Sequence, residues 1–439
     1  MSGIQPKEAR RIAKEAVIFG FPFVSNYRVF IDRLVSGHPL MQGVGFNQFA
    51  HNRQLFPPET RDTTQRETIF SLGIIDLRRE PVVISVPDVT EGQAYMLQMG
   101  DTSTESLPYI STITTNNRAG DYALVGPDFQ DYLPAQQFDG VITTRGQFVV
   151  MLGRTVVFDS NDLSPAHAIQ DGMQMRQLSE FLGTEPPPKP EPVEFLPWDE
   201  KAAEDLGIFD YINMALAWHP PAIHEMELMA SFAEIGVIPG QRFSTEDLLD
   251  EVVNAIDEGV TEALTLISQR AQESGGQELI GSWLWGTEDI SRFGRDYLTR
   301  AVISLQTIYP NAPDHALYGR ANVDLEGDPL TGANTYELHF AESAFPPVDW
   351  FWSVTLYDAE TTAMYANPLE RYSIGDCTKD LKFGDDGSLT LMIGHSEPED
   401  KSNWLPAPEG DFYLIIRLYA AKPEVLAGEW TPPPVKRIN

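Results

Sequence analysis

Apolar residues recur at helical spacing near the start of the chain, where Ile12, Ala13, Ala16, Val17 and Phe19 form one stripe over residues 6–19. Pro6 suits the first turn of such a helix and Gly20 its end, so one short amphipathic helix is expected to open the chain. From about residue 68 the texture changes. Short runs rich in β-branched and aromatic residues at 81–86, 94–99, 122–125 and 148–157 are punctuated by Gly, Pro, Asp and Asn. No helix-length segment separates them, which disfavours a parallel βαβ sheet and predicts an antiparallel sandwich or jelly roll.

Near Asp162 the pattern turns helical, with Ser164-Pro165 as an entry signal. Residues 184–197 hold six prolines and read as an extended linker. Helical spacing then predicts helices over 199–218, 222–235, 245–270 and 290–308, with Ser244 placed to cap the third. Strand texture returns at 335–341, 350–357, 388–393 and 412–419, and Asp385-Asp386-Gly387-Ser388 marks a turn into the third of these. The expected class is α+β, two antiparallel β-sandwich domains of jelly-roll type joined by a helical segment, with boundaries at 1–163, 164–310 and 311–439. The β, α, β order is compatible with a divergent duplication. The proline-rich end, 430–439, is expected to dock or trail as an extended tail.

At 439 residues the chain exceeds the size of one hydrophobic core, in keeping with two domains. It carries 31 basic and 64 acidic residues, a formal charge of -33, which argues against nucleic acid or an anionic membrane as partner. With nine lysines among the basic residues, the composition also suits a high-salt, halotolerant setting. No stretch approaches the roughly 18 apolar residues of a membrane span, and residues 1–11 lack a signal-peptide pattern, so a cytoplasmic or processed periplasmic protein is expected. Cys377 is the single cysteine, which excludes an internal disulfide and a multi-cysteine zinc site. Phosphate-loop, dinucleotide and Gly-x-Ser-x-Gly motifs are absent, which removes kinases, ordinary dehydrogenases and serine esterases. No cofactor is indicated, and a homo-oligomer is left open.

Several words in the last third occur in a distinctive order: Pro346-Pro347-Val348-Asp349-Trp350-Phe351-Trp352, Asn367-Pro368, Arg371-Tyr372-Ser373-Ile374-Gly375-Asp376, Asn403-Trp404-Leu405-Pro406-Ala407-Pro408 and Arg417-Leu418-Tyr419. Gly20-Phe21-Pro22, Asp76-Leu77, Glu80-Pro81-Val82, Val86-Pro87-Asp88, Gly126-Pro127 and Gly153-Arg154-Thr155 stand in the first half. Together they resemble the two-domain bacterial family that pairs the domains of unknown function 1254 and 1214. The resemblance implies two jelly-roll domains lying side by side. An Asn-x-Asp-Thr-x-Tyr-Ser motif common in that family stands here as Gln65-Arg66-Glu67-Thr68-Ile69-Phe70-Ser71, Cys377 replaces the usual Arg after Gly-Asp, and no common activity is carried over.

Glu67 and Asp101 are the candidate general acid and base, with Arg154, on an otherwise apolar strand, as a charged companion expected to find a carboxylate or an anionic ligand. Thr68 and Ser71 line the same motif. Alternation places Phe351, Ser353, Thr355 and Tyr357 on one face of their strand and Trp352, Val354 and Leu356 on the other. Trp352, Tyr357, Asn403 and Trp404 form a candidate platform for a sugar or flat polar ligand, with Asn367 and Arg371 beside it and an Arg371–Asp376 ion pair holding the loop. The histidines at 38, 51, 167, 219, 224, 315, 339 and 395 show no zinc spacing, and His219 and His224 read as structural. His339 would ligate a metal only with His395 or Asp358 beside it, and Asp324-Leu325-Glu326-Gly327-Asp328 has acidic spacing without a complete calcium-loop signature. Asp376 beside Cys377 disfavours a nucleophilic thiolate. The expected function is a hydrolase-like enzyme with a carboxylate and aromatic site between the β-domains, acting on a small polar or glycan-type substrate. The alternative is a non-catalytic protein that binds a carbohydrate or small ligand through the same aromatics.

Overall fold

The structure is a computed structural model that describes residues 3–34, 44–61, 63–273 and 277–439. Its first helix, α1 (Pro6–Leu34), does not stop at Gly20 as expected but continues through it and Pro22. Glycine serves there as a packing residue, since a Cβ on Gly20 would lie 2.4 Å from the Ile212 side chain. The helix also tolerates the proline, and the carbonyl of Pro22 accepts a hydrogen bond from Asn26 Nδ2 at 2.9 Å.

The first β-domain contains β1 (Ala50–His51), β2 (Thr68–Asp76), β3 (Val82–Val86), β4 (Tyr95–Asp101), β5 (Ile110–Ser111), the short α2 (Thr112–Thr115), β6 (Gly120–Val125), β7 (Gly140–Thr143) and β8 (Phe148–Val156). After α3 (Ser164–Gly172) comes β9 (Gln174–Gln177), which pairs with β3, so this domain runs past the expected boundary at 163. Its sheets have the orders β1-β2-β8-β4-β5 and β7-β6-β3-β9. They enclose a core that includes Ile75, Ile84, Leu97, Val149 and Met151.

The helical region comprises α4 (Leu178–Leu182), α5 (Ile208–Trp218), α6 (Met226–Ala233), α7 (Asp250–Gln272) and α8 (Tyr297–Gln306), with β10 (Glu278–Ile280) and β11 (Trp283–Trp285) before α8. The first helix joins this bundle rather than standing alone: Ile12, Ala16 and Phe23 pack with Ile212, Phe232 and Ile256. Ser244 lies ahead of α7, which begins only at Asp250, and its hydroxyl accepts from the Glu246 amide.

The second β-domain follows with β12 (Ala316–Ala321), β13 (Thr335–Phe340), β14 (Val348–Asp358), β15 (Ser373–Gly375), β16 (Leu389–Gly394), β17 (Trp404–Pro406), β18 (Phe412–Ala421), the short α9 (Pro423–Leu426) and β19 (Lys436–Arg437). Its sheets have the orders β10-β11-β12-β18-β14-β15 and β17-β16-β13-β19. With β10 set aside, both orders repeat those of the first domain strand for strand. The repeat extends to the one parallel partner of each smaller sheet, β6 with β7 and β16 with β17. Two copies of one sandwich therefore flank the helices.

The two copies also meet through the same face. Ala94, Met96 and Val156 of the first domain pack against Phe351 and Tyr419 of the second. Ala94 stands two residues before Met96, which pairs with Arg154, and Phe351 stands two before Ser353, which pairs with Arg417. Equivalent positions thus face each other, as in an isologous dimer interface.

Candidate functional site

Beside this interface lies a cleft with two lobes, of about 400 Å³ and about 590 Å³, that share Thr63, Arg154, Thr307, Tyr309, Tyr318 and Arg417 as common lining. The end of α8, residues 56–61 and 63–65, and the segment 307–313 complete it. Arg154, on β8, donates from Nη1 to Gln98 Oε1 at 3.0 Å and Asn311 Oδ1 at 3.3 Å, and its guanidinium lies 5.4 Å from the Phe70 ring. Arg417, on β18, is 3% exposed and donates to Thr355 Oγ1 at 2.9 Å, Tyr357 OH at 2.7 Å and the Thr63 carbonyl at 3.3 Å. Among the described residues, neither guanidinium has a carboxylate at ion-pair distance. Burial works against the charge of Arg417, but the phenolic oxygen of Tyr357 and the field of Glu67 hold its pKa above the ordinary value.

These arginines are equivalent in the duplicated fold. Each sits on the middle strand opposite an aromatic residue of the preceding strand, Phe70 for Arg154 and Tyr318 for Arg417. Each donates to the side chain two residues beyond its other cross-strand partner, Gln98 beyond Met96 and Thr355 beyond Ser353. A polar chain closes the site. Asn311 Nδ2 donates to Tyr318 OH at 2.7 Å, Tyr318 and Tyr419 share a contact of 3.2 Å, and Gln65 Nε2 donates to Tyr419 OH at 2.6 Å. The Gln65 Oε1 atom is buried without a hydrogen-bond partner.

The predicted acid and base do not come together. Glu67 precedes Thr68, which pairs with Val156, whereas Asp101 pairs with Val149 at the other end of β8. Seven strand residues, about 23 Å, separate these positions, while carboxylates that share one glycosidic bond stand no more than about 10 Å apart. Glu67 lies at the domain junction in a separate hollow of about 280 Å³, where its carboxylate accepts from Ser373 Oγ at 2.6 Å. Asp101 instead closes a buried turn, accepting on Oδ1 from Ser103 N at 2.8 Å, Ser103 Oγ at 2.7 Å and Glu105 N at 3.2 Å.

The predicted ligand platform is largely structural. Trp352 borders the Glu67 hollow but buries its ring against Phe340, at 4.9 Å between centroids, because it points to the core side of β14. Trp404 is buried and donates from Nε1 to the Gly394 carbonyl. Asn403 pins the Lys382 backbone, and Asn367 closes its own loop onto Tyr365 and Arg371. The expected Arg371–Asp376 ion pair does not form: Arg371 donates to the carbonyls of Lys401, Ser402 and Trp404. Asp376 accepts from the Trp352 amide, and burial pushes its pKa up to about 6. Thr68 accepts from the cleft residue Gln65, and Ser71 bonds His51 and Gln170; neither Thr68 nor Ser71 lines the cleft itself. Tyr357 does reach the site through Arg417, and burial pushes its phenol up to about 12. Burial, then Asp376, pushes the Cys377 thiol well above its ordinary pKa.

Among the described residues no group of three His, Cys, Asp or Glu side chains is placed to hold a metal ion, and no helix is long and apolar enough to cross a membrane. His38 lies outside them. His339 bonds Thr390 and His395 bonds the Ala407 carbonyl. Asp324 accepts two amides of its own loop, and Arg437 lies 3.7 Å from its other oxygen. His219 is 1% exposed, contacts Thr102 at 3.2 Å through Nδ1, and has Nε2 3.8 Å from Asp101.

Burial lowers the His219 pKa from 6.5 to about 4, with Asp101 pulling the other way. The unfolded chain therefore binds a proton that the folded chain refuses between these values. Stability from this group is complete above pH 6.5 and should be lost as pH falls towards 4, by up to about 3 kcal/mol. Asp376 contributes with the opposite sign, since its folded pKa is raised. The expected result is thus a difference: in urea titrations, His219→Gln should lose less stability than the parent protein between pH 7 and pH 4.5. Equal losses would remove His219 from this role.

Residues 46–177 match the family model described as protein of unknown function (DUF1254), and residues 315–423 match protein of unknown function (DUF1214). The VPA0106 protein from Vibrio parahaemolyticus, a crystal structure, is 25% identical with a TM-score of 0.77, over 98% of this chain and 100% of that one. A crystal structure from Burkholderia cenocepacia shows a remoter likeness, 9% identical with a TM-score of 0.48, over 98% of this chain and 94% of the other. None of the curated proteins matches the chain.

Proposed function

Because the chain belongs to the family that pairs DUF1254 with DUF1214, whose two domains build the cleft jointly, we propose that it binds a small organic anion between them. One observation carries this reading: Arg154 and Arg417 line the same cleft and, among the described residues, have only neutral hydrogen-bond partners. A desolvated guanidinium is costly without a counter-charge, and its planar fork suits a carboxylate or phosphate. The charge of the whole chain sharpens the point, because a cationic hollow in a protein of net charge -33 is a local inversion of its field. The Asn311, Tyr318 and Gln65 side chains supply directed hydrogen bonds around the same space.

Binding is favoured over hydrolysis by the predicted carboxylate pair because Glu67 and Asp101 lie at opposite ends of β8 and neither lines the cleft. Calorimetry with small carboxylates, inorganic phosphate and neutral sugars tests the reading. Carboxylate or phosphate should bind and neutral sugars should not, and carboxylate affinity should be nearly flat from pH 6 to 9 because neither carboxylate nor guanidinium titrates there. Loss of a charge-assisted hydrogen bond, about 1.5–3 kcal/mol, predicts that Arg154→Gln binds roughly tenfold to a hundredfold more weakly, with Arg154→Lys between. Sugar binding without anion binding, or full affinity in Arg154→Gln, would refute it.

A further inference from the structure

The duplicated architecture narrows the ligand, provided that the anion-binding reading holds. Leu152 stands two residues before Arg154 and lines the larger lobe, and Ile415 stands two before Arg417 and lines the smaller. Each is the cross-strand partner of the residue that its arginine bonds, Gln98 for Leu152 and Thr355 for Ile415. Equivalent positions of the two domains thus provide equivalent walls. The larger lobe adds Phe56 and Ile308, and the smaller adds Ile290 and Pro313, all half-buried apolar side chains. Both arginines, by contrast, border both lobes. The two shared arginines therefore lie at the waist with apolar walls on either side, while the exposed Arg61 also borders the larger lobe and the exposed Glu288 the smaller.

We infer that the cleft takes an anion whose charged group is central and carries two apolar arms, one for each lobe. A ligand with charges at both ends would need the arginines far apart, and a single-tailed acid would leave one lobe wet. Two-armed occupancy covers apolar surface in both lobes at once, which is where the gain in affinity arises.

Three twelve-carbon acids separate these shapes: 2-butyloctanoate, with a central carboxylate; dodecanoate, with a terminal one; and dodecanedioate, with one at each end. Calorimetry with the full chain, below micelle-forming concentrations, should show 2-butyloctanoate binding at least tenfold more tightly than its linear isomer and than the diacid. Leu152→Trp and Ile415→Trp, checked for folding by circular dichroism, should each weaken that binding about tenfold by filling one lobe. Equal or tighter binding of dodecanoate or dodecanedioate would overturn the two-armed shape, as would indifference to either folded tryptophan variant. Butanoate and phosphate serve as the reference. If they bind while the branched acid has no advantage, the shape alone fails; if no anion binds, the anion reading fails with it.

Discussion

Gly375→Val is expected to unseat β15 and lower the stability of the protein by about 3–5 kcal/mol, among the larger effects of a single substitution. A Cβ at this position would fall 2.0 Å from the Trp352 carbonyl oxygen and 2.9 Å from the Ser353 Cα. Both are backbone atoms of β14, the strand paired with Gly375, and neither yields without breaking the ladder. With the strand displaced, Ile374 leaves the second-domain core and Ser373 releases Glu67. The requirement for glycine here comes from close approach. Gly410→Ala makes the control, since its Cβ would enter open space and should change stability by no more than about 0.5 kcal/mol. Denaturant titration by circular dichroism measures both, and a near-neutral Gly375→Val would show that β15 is dispensable.

Asp101→Ala is expected to cost about 3–5 kcal/mol, because a buried carboxylate that satisfies several donors is removed from beside a buried cation. The amides of Ser103 and Glu105 and the Ser103 hydroxyl would lose their acceptor. Arg300, 1% exposed among Phe19, Phe23 and Tyr297, would lose a supporting charge; burial already lowers its pKa, with Asp101 and Glu105 opposing that fall. The turn also docks the helical region, for Glu105 accepts from the amides of Phe293 and Gly294. Asp101→Asn, which keeps an acceptor oxygen, should recover part of the loss. At a temperature where Asp101→Ala remains folded, anion affinity should match the parent protein. A catalytic or ligand-binding Asp101 would show the reverse, lost function at unchanged stability.

The unusual charge of Arg154 on an apolar strand was legible, and Arg417 carries the same signal within Ile415-Ile416-Arg417-Leu418-Tyr419. Nothing in that segment alone marks the arginine for a site, because its role depends on the domain that faces it. Alternation along β14 separates Ser353, Thr355 and Tyr357 from Trp352; of the two platform rings on this strand, Tyr357 reaches the cleft through Arg417 and Trp352 turns into the core. Alternation defines two faces without saying which one meets another domain. Chemical type alone pairs Glu67 with Asp101, whereas their separation follows from strand register along β8.

Local spacing along the chain therefore determined the two strand-rich regions, the helices between them, the alternation of β14 and the membership read from ordered motifs. The tertiary structure decided that the β-regions are copies of one sandwich and that their equivalent faces meet. It also decided that Arg154 and Arg417 share one cleft. These features depend on register and on contacts between segments hundreds of residues apart, such as Gln65 with Tyr419, which no short-range periodicity encodes. Periodicity selects the side of a strand that is apolar; only packing selects the surface laid against it.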